Sequence, residues 1–252
     1  MMVGVIIIVL ESNLECFIIS RGRVYCIFER RMDYVGTFVE DGVVIIPDAL
    51  STAVMNELSI ECNELRNQVG TSCVIEPTTS LDLHARQQIC SAEEYAAVRK
   101  SHLRHPHDTN DIIEFFFEKS NPIHKLLDEI FGGVYYFYNE QYILKPPRKG
   151  EFSWHRDSDN AGTDTAFISC WFALSDEITA ENGGLLFQTY NNEKKLVENI
   201  KKGTMVLFAH DVLHCSSTNT SSDWRCAYMI QFSQQPMTFK DNKHIAFAVP
   251  IY

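Results

Sequence analysis

The hydrophobic period changes near residue 134, and this change constrains the fold more than any other feature. Before it, apolar residues recur at helical spacing. After it, short apolar runs separated by turn residues occupy 134–145, 151–156, 165–174, 184–189, 204–209, 213–217 and 225–233. Helices that precede a run of short strands predict a mostly β, α+β chain. Its strands close into a jelly-roll barrel and its N-terminal helices brace one face.

The helical half carries its own punctuation. Tyr34 to Ile46 reads as a helical or turn entry followed by the strand Gly42–Ile46, closed by Pro47. Ser51 caps a helix to about Val69, with Val54, Leu58, Cys62 and Leu65 on its apolar face and Gly70 at its end. Residues 71–90 read as a loop. Ser91 and Glu94 form a capping box for a helix to about Ser101. Two further helices follow over 111–119 and 122–131. Pro122 stands at a first helical position, Gly132 at a stop, and Ile123, Leu126, Leu127 and Ile130 on the buried face.

The chain has 252 residues, 45% hydrophobic and 22% charged, enough for one large domain with a full core. Its net charge of −11 disfavours a nucleic-acid partner. Eight cysteines without a Cys-x-x-Cys pair exclude a zinc knuckle and fit a reducing, cytoplasmic setting. The apolar run Met2–Leu10 ends at Glu11, too short to span a bilayer and without the basic flank of a signal peptide. Residues 1–31 are expected to be an accessory segment, or an upstream mis-start with Met32 as initiator, ahead of a domain over 32–252.

The chemistry concentrates in His155-Arg156-Asp157, His214 and Arg225. Two imidazoles and one carboxylate on one face of a metal are the ligand set of non-haem iron(II) oxygenases, and three protein ligands leave coordination positions open. In a strand, His155 and Asp157 would point to the same side. The apolar Phe152-Ser153-Trp154 leads into the pair, and Gly203–Phe208 precedes a turn at His210-Asp211 and a short strand bearing His214. Ser216 shares the face of His214. Arg225 opens an apolar strand, where its guanidinium can hold a carboxylate by two parallel hydrogen bonds. The alternative for the triad is a satisfied core hydrogen-bond network.

Five segments together resemble one family. They are Phe38–Pro47, Gln141–Pro147, Trp154–Asp157, Glu181-Asn-Gly-Gly-Leu185, and His214-x-Ser216 with Arg225. In order and spacing, from Tyr34 to Ser233, they are similar to the phytanoyl-CoA dioxygenase family of iron(II)/2-oxoglutarate oxygenases. The resemblance implies a double-stranded β-helix, cupin-like barrel. It implies iron(II), 2-oxoglutarate and O2 as cofactor and co-substrates. It makes His155, Asp157 and His214 the iron ligands, selecting His214 over His210. Arg225 and Ser216 would hold the distal carboxylate of 2-oxoglutarate. Gln141 would lie beside its other end and Trp171 would form a wall, with core packing the alternative for Trp171. Lys145 shares a strand face with Gln141 and belongs either to that site or to its rim.

The implied reaction is hydroxylation of an unactivated C–H of a small organic substrate, with release of succinate and CO2. Desaturation and ring formation stay open. The family often continues from the Gly-Gly turn into Pro-Gly-Ser-His; here the chain has Gln188–Asn192, so a long-chain acyl-CoA substrate does not carry over. Two readings compete with the oxygenase: a non-catalytic binding or regulatory protein on the same barrel, and a hydrolase or isomerase using another divalent metal. His102, His105 and His107 read as a polar loop bordering the site rather than a second metal centre. Tyr135, Tyr136 and Tyr138 are expected to alternate between core and pocket. No membrane anchor is expected.

Overall fold

A computed structural model describes residues 6–10, 15–20, 23–27, 33–68, 74–75, 89–103, 110–118, 121–160, 165–237 and 248–252. The chain divides into two compact units, Met1–Asp33 and Tyr34–Tyr252. The first holds an antiparallel meander of β1 (Ile6–Leu10), β2 (Glu15–Ser20) and β3 (Arg23–Ile27).

The second unit opens with α1 (Tyr34–Asp41), β4 (Val43–Ile46), α2 (Thr52–Gln68) and β5 (Val74–Ile75). Then come α3 (Ala92–Leu103), α4 (Asn110–Phe117) and α5 (Pro122–Phe131). The caps set these ends. Val54 N–H donates to Ser51 Oγ at 3.3 Å. Ser91 and Glu94 exchange two bonds, of 2.8 and 3.2 Å, in the expected box. Asn121 Oδ1 caps α5 at Ile123 N–H, Pro122 begins it, and Gly132 ends it at φ 71°.

The strands that follow are β6 (Tyr135–Lys145), β7 (Phe152–His155), β8 (Phe167–Ala173), β9 (Glu177–Ile178) and β10 (Leu185–Gln188). After these come β11 (Lys194–Val197), β12 (Ile200–Lys201), β13 (Met205–Ala209), β14 (Leu213–Ser216), β15 (Arg225–Ser233) and β16 (Val249–Ile251). The major sheet runs β16-β6-β15-β8-β13-β4, with β5 also on β6, and the minor sheet runs β11-β10-β14-β7. All named strand pairs are antiparallel.

Every residue of β8, β13 and β15 is buried, which places these strands in a middle layer. On one side lie the helices: Val54, Leu58, Tyr95, Phe116 and Leu127 share one core with Phe172, Tyr228 and Phe232. On the other side lies the minor sheet, whose Phe187 ring meets Phe208 of β13 at 5.2 Å. The result is a mostly β, double-stranded β-helix barrel with helices packed on the outer face of its larger sheet.

Two local readings are corrected. Strand β7 ends at His155, and Asp157 begins a short helical turn, α6 (Asp157–Asn160). Ser158 N–H donates to His210 O, and Arg156 N–H to Asp159 Oδ2, so the chain bends away before Asp157. Residues 188–192 form the hairpin turn into β11, with Asn192 at φ 61° and Asn192 N–H bonded to Thr189 O. The edge strand β11 exposes Lys194, and that polar surface concealed it from a hydrophobic reading.

Candidate metal centre

Strands β7 and β14 are hydrogen-bonded neighbours, with His155 opposite His214 in the register. Their rings lie 4.3 Å apart, centre to centre. Asp157 reaches the same point from the α6 turn. Its Oδ1 lies 3.5 Å from His214 Nε2 and 3.8 Å from His155 Nε2. One ligand atom from each residue falls within 4.8 Å of the others. Among the described residues this is the one such group. The triad therefore assembles across two strands and a turn, not from one strand face as His-x-Asp spacing suggested.

The donor set fits a divalent iron. His155 Nδ1 lies 2.7 Å from Ser153 O, and His214 Nδ1 lies 3.0 Å from Val212 O. A carbonyl only accepts, so each Nδ1 carries the proton and each Nε2 presents its lone pair. Burial holds His214 below its ordinary pKa, which keeps the ring neutral and able to ligate. Its ring packs against both Phe187 and Phe208.

Both sheets supply the remaining walls. Gln141, Trp171, Ser216 and Arg225 line one cavity with the three ligands. Ile143 and Met229 on neighbouring strands, and Leu185 and Phe152 across the barrel, complete its apolar surface. The cavity has a volume of about 90 Å3. Arg225 is 1% exposed. Its guanidinium lies 5.5 Å from the centre of the Trp171 ring, and Nη2 donates to Gly183 O at 3.4 Å.

Lys145 stands opposite Arg225 in the register but does not line the cavity. Its Nζ donates to Ser217 O at 2.5 Å and lies over the Phe152 ring. His210 sits in a turn against Phe167, apart from the triad. Tyr135 faces the helices, where its hydroxyl meets His124 Nδ1 at 2.6 Å. His105, His107 and the side chain of His102 lie outside the described residues.

Two polar residues at the site were not foreseen. Ser169 Oγ donates to Asp157 Oδ2 at 2.7 Å, and Gln231 Nε2 donates to the same oxygen at 3.2 Å. Tyr138 O–H donates to Gln231 Oε1 at 2.8 Å. Burial pushes the Tyr138 phenol well above its ordinary pKa, so it stays a donor. One signal was available: Gln231 lies an even number of residues from Arg225 on β15, and Ser169 two from Trp171 on β8, so both share the inward face.

The sequence model of the phytanoyl-CoA dioxygenase (PhyH) family matches residues 38–227, a span that contains His155, Asp157, His214 and Arg225. The chain belongs to the phytanoyl-CoA dioxygenase family. Members of this group of oxygenases depend on iron(II) and 2-oxoglutarate, the chemistry for which the triad and the buried Arg225 are suited. No curated protein sequence matches the chain.

Among solved structures, the PhyH-type barrel is shared with SnoN, a non-haem α-ketoglutarate-dependent epimerase from nogalamycin biosynthesis. The TM-score is 0.61 at 13% identity, over 82% of this chain and 83% of that one. SnoK, a carbocyclase from the same biosynthesis, gives 0.61 at 15% identity, over 84% and 87%. EctD from S. alaskensis, solved with bound Fe, gives 0.55 at 16%, over 79% and 74%. At these identities the likeness is one of fold. None of the helices among the described residues is long and apolar enough to cross a membrane.

Proposed function

We propose that this family member is a dioxygenase that hydroxylates an unactivated C–H of a small organic substrate, releasing succinate and CO2. One observation carries the reading: His155, Asp157 and His214 face the same cavity as the buried guanidinium of Arg225. A metal triad alone suits many reactions. A triad beside a buried cation suits a metal-bound acid with a second, distal carboxylate.

Bound iron(II), with 2-oxoglutarate and O2, supplies the oxidative chemistry. His155 Nε2, His214 Nε2 and Asp157 Oδ1 hold the metal. Arg225, assisted by Ser216, holds the distal carboxylate of 2-oxoglutarate, and a charge-assisted pair in a buried setting is strong. Gln141 lies toward the keto-acid end. Trp171 walls the co-substrate and stacks the Arg225 guanidinium. Phe208, Leu185 and Met229 keep this end of the cavity apolar and exclude water.

The fold also serves an epimerase and a carbocyclase, so hydroxylation is the finer claim. Asp157 supports it, because a carboxylate ligand occupies the position that halogenating relatives give to a halide.

Calorimetry tests the co-substrate site. Anaerobic metal-loaded protein should bind 2-oxoglutarate, and Arg225→Ala should lose about 2–5 kcal/mol of that affinity. Arg225→Lys should not restore it, because an ammonium lacks the planar fork. Unchanged affinity in Arg225→Ala would remove the assignment. For the reaction, a turned-over substrate should gain one oxygen atom derived from O2; a product short of two hydrogens would replace hydroxylation with desaturation.

A further inference from the structure

We propose that Gln231, together with Ser169, positions Asp157 as a one-oxygen metal ligand, and that Tyr138 fixes the direction in which Gln231 donates. The inference rests on the metal-centre reading above.

The two oxygens of Asp157 have different surroundings. Oδ1 faces the two imidazole Nε2 atoms at 3.5 and 3.8 Å. Oδ2 accepts from Ser169 Oγ at 2.7 Å and from Gln231 Nε2 at 3.2 Å. A carboxylate with both oxygens free can chelate a metal through both and fill one more coordination position. Two donors on Oδ2 engage the lone pairs that such chelation needs, and so favour binding through Oδ1 alone.

The direction of the Gln231 amide follows from its neighbours. An ionised carboxylate only accepts, so the amide NH2 must face Asp157. The carbonyl then faces the other way, where Tyr138 O–H at 2.8 Å and Asn139 Nδ2 at 2.9 Å both donate to Oε1. The second amide hydrogen goes to Ser169 Oγ at 2.9 Å, and the Ser169 hydroxyl passes its own hydrogen to Oδ2. Every hydrogen in the network points toward Asp157. Gln231 is 4% exposed and Ser169 0%, so water competes little for these bonds.

A break in the β6–β15 register makes the network possible. Gln231 pairs with Asn139, but Phe232 pairs with Phe137, leaving Tyr138 as the extra residue of a bulge. Without it, Tyr138 would follow Glu140 and Tyr142 onto the helix face. The bulge turns its hydroxyl inward instead, as bulges re-aim side chains.

Cobalt(II) titration of the full chain tests the inference. Gln231→Glu keeps the shape of the side chain but places a second carboxylate where a donor stood, so its effect is read beside that of the uncharged Ser169→Ala change. We expect Gln231→Glu and Ser169→Ala each to weaken cobalt(II) binding by roughly 10- to 100-fold, and Tyr138→Phe to weaken it less. Circular dichroism and melting of the metal-free proteins check that each variant folds; Ser169→Ala carries the test if Gln231→Glu does not. Wild-type cobalt(II) affinity in both folded variants would overturn the positioning role alone. A wild-type chain that binds no cobalt(II) or iron(II) would overturn the metal centre itself, and this inference with it.

Discussion

At the scale of single residues, the site depends on a backbone position that favours glycine. Gly183 sits at φ +98°, and a Cβ there would stand 2.8 Å from Ser217 O and 2.9 Å from Lys145 Cδ. Its carbonyl also accepts from Arg225. Gly183→Ala should therefore cost on the order of 1–3 kcal/mol of stability, from the left-handed backbone and the clash. It should also weaken 2-oxoglutarate binding by shifting the carbonyl that steadies Arg225. Thermal melting and calorimetry would check the two effects separately; a variant as stable as wild type would mean the turn can relax. The Glu181–Leu185 segment was legible because glycine pairs mark turns. The clustering of His155, Asp157 and His214 was legible too, though Asp157 for the wrong reason, since the chain bends after His155, where Ser158 bonds to distant His210. Ser169 and Gln231 were not singled out, because a polar residue in a buried strand shows its role only once its register is known.

At the scale of elements, the helices were the most legible part. Their caps are local: Ser51, the Ser91/Glu94 box, Asn121-Pro122 and Gly132 lie within a few residues of the ends they set. Short strands were the least legible. Two- and three-residue segments such as β9, β12 and β16 have no period to detect, and β16 even contains Pro250.

Long-range contacts between elements were also hidden, above all the polar cluster that ties helices to sheet. Arg99 of α3, 0% exposed, bonds Glu61 of α2 at 2.5 and 2.9 Å and Glu140 of β6 at 2.9 Å. Tyr95, Tyr142 and Tyr228 donate their hydroxyls to the same two carboxylates. Removing the one cation would leave two carboxylates facing each other in the core. Arg99→Met should thus cost about 3–5 kcal/mol, read from denaturant midpoints. It should leave the ligand residues in place, so metal affinity of the folded fraction should change little. A loss under 1 kcal/mol would mean that water or protonation relieves the buried charge.

At the scale of the whole molecule, function follows from layering. The helices cover the outer face of the major sheet, so its strands can be apolar on both faces and rigid. The minor sheet faces its inner side and brings β7 and β14 together at one end of the barrel. His155 and His214 come from that smaller sheet, and Asp157 from the turn after it. Gln141, Trp171, Met229 and Arg225, and the bonds to Asp157 from Ser169 and Gln231, come from the larger one, while Phe152, Leu185 and Ser216 line the cavity from the smaller. Alternation and turn signals made this architecture readable in outline, because each strand declares its inward face. Pairing order could not be read, since antiparallel neighbours such as β4 and β13 are far apart in the chain.

The proposed function joins the two sheets: a metal-binding triad on one would act with a carboxylate-binding arginine on the other. The most direct measurement is succinate release from iron(II)-loaded protein given 2-oxoglutarate and then O2, beside Arg225→Ala and Asp157→Ala. Oxygenases of this kind turn over slowly without their true substrate. Wild type should release succinate in a reaction that requires both iron and O2, and each variant should lose most of it. Two-oxoglutarate that binds to the metal-loaded wild type but yields no succinate with any substrate offered, or succinate that persists in both variants, would contradict the proposed function.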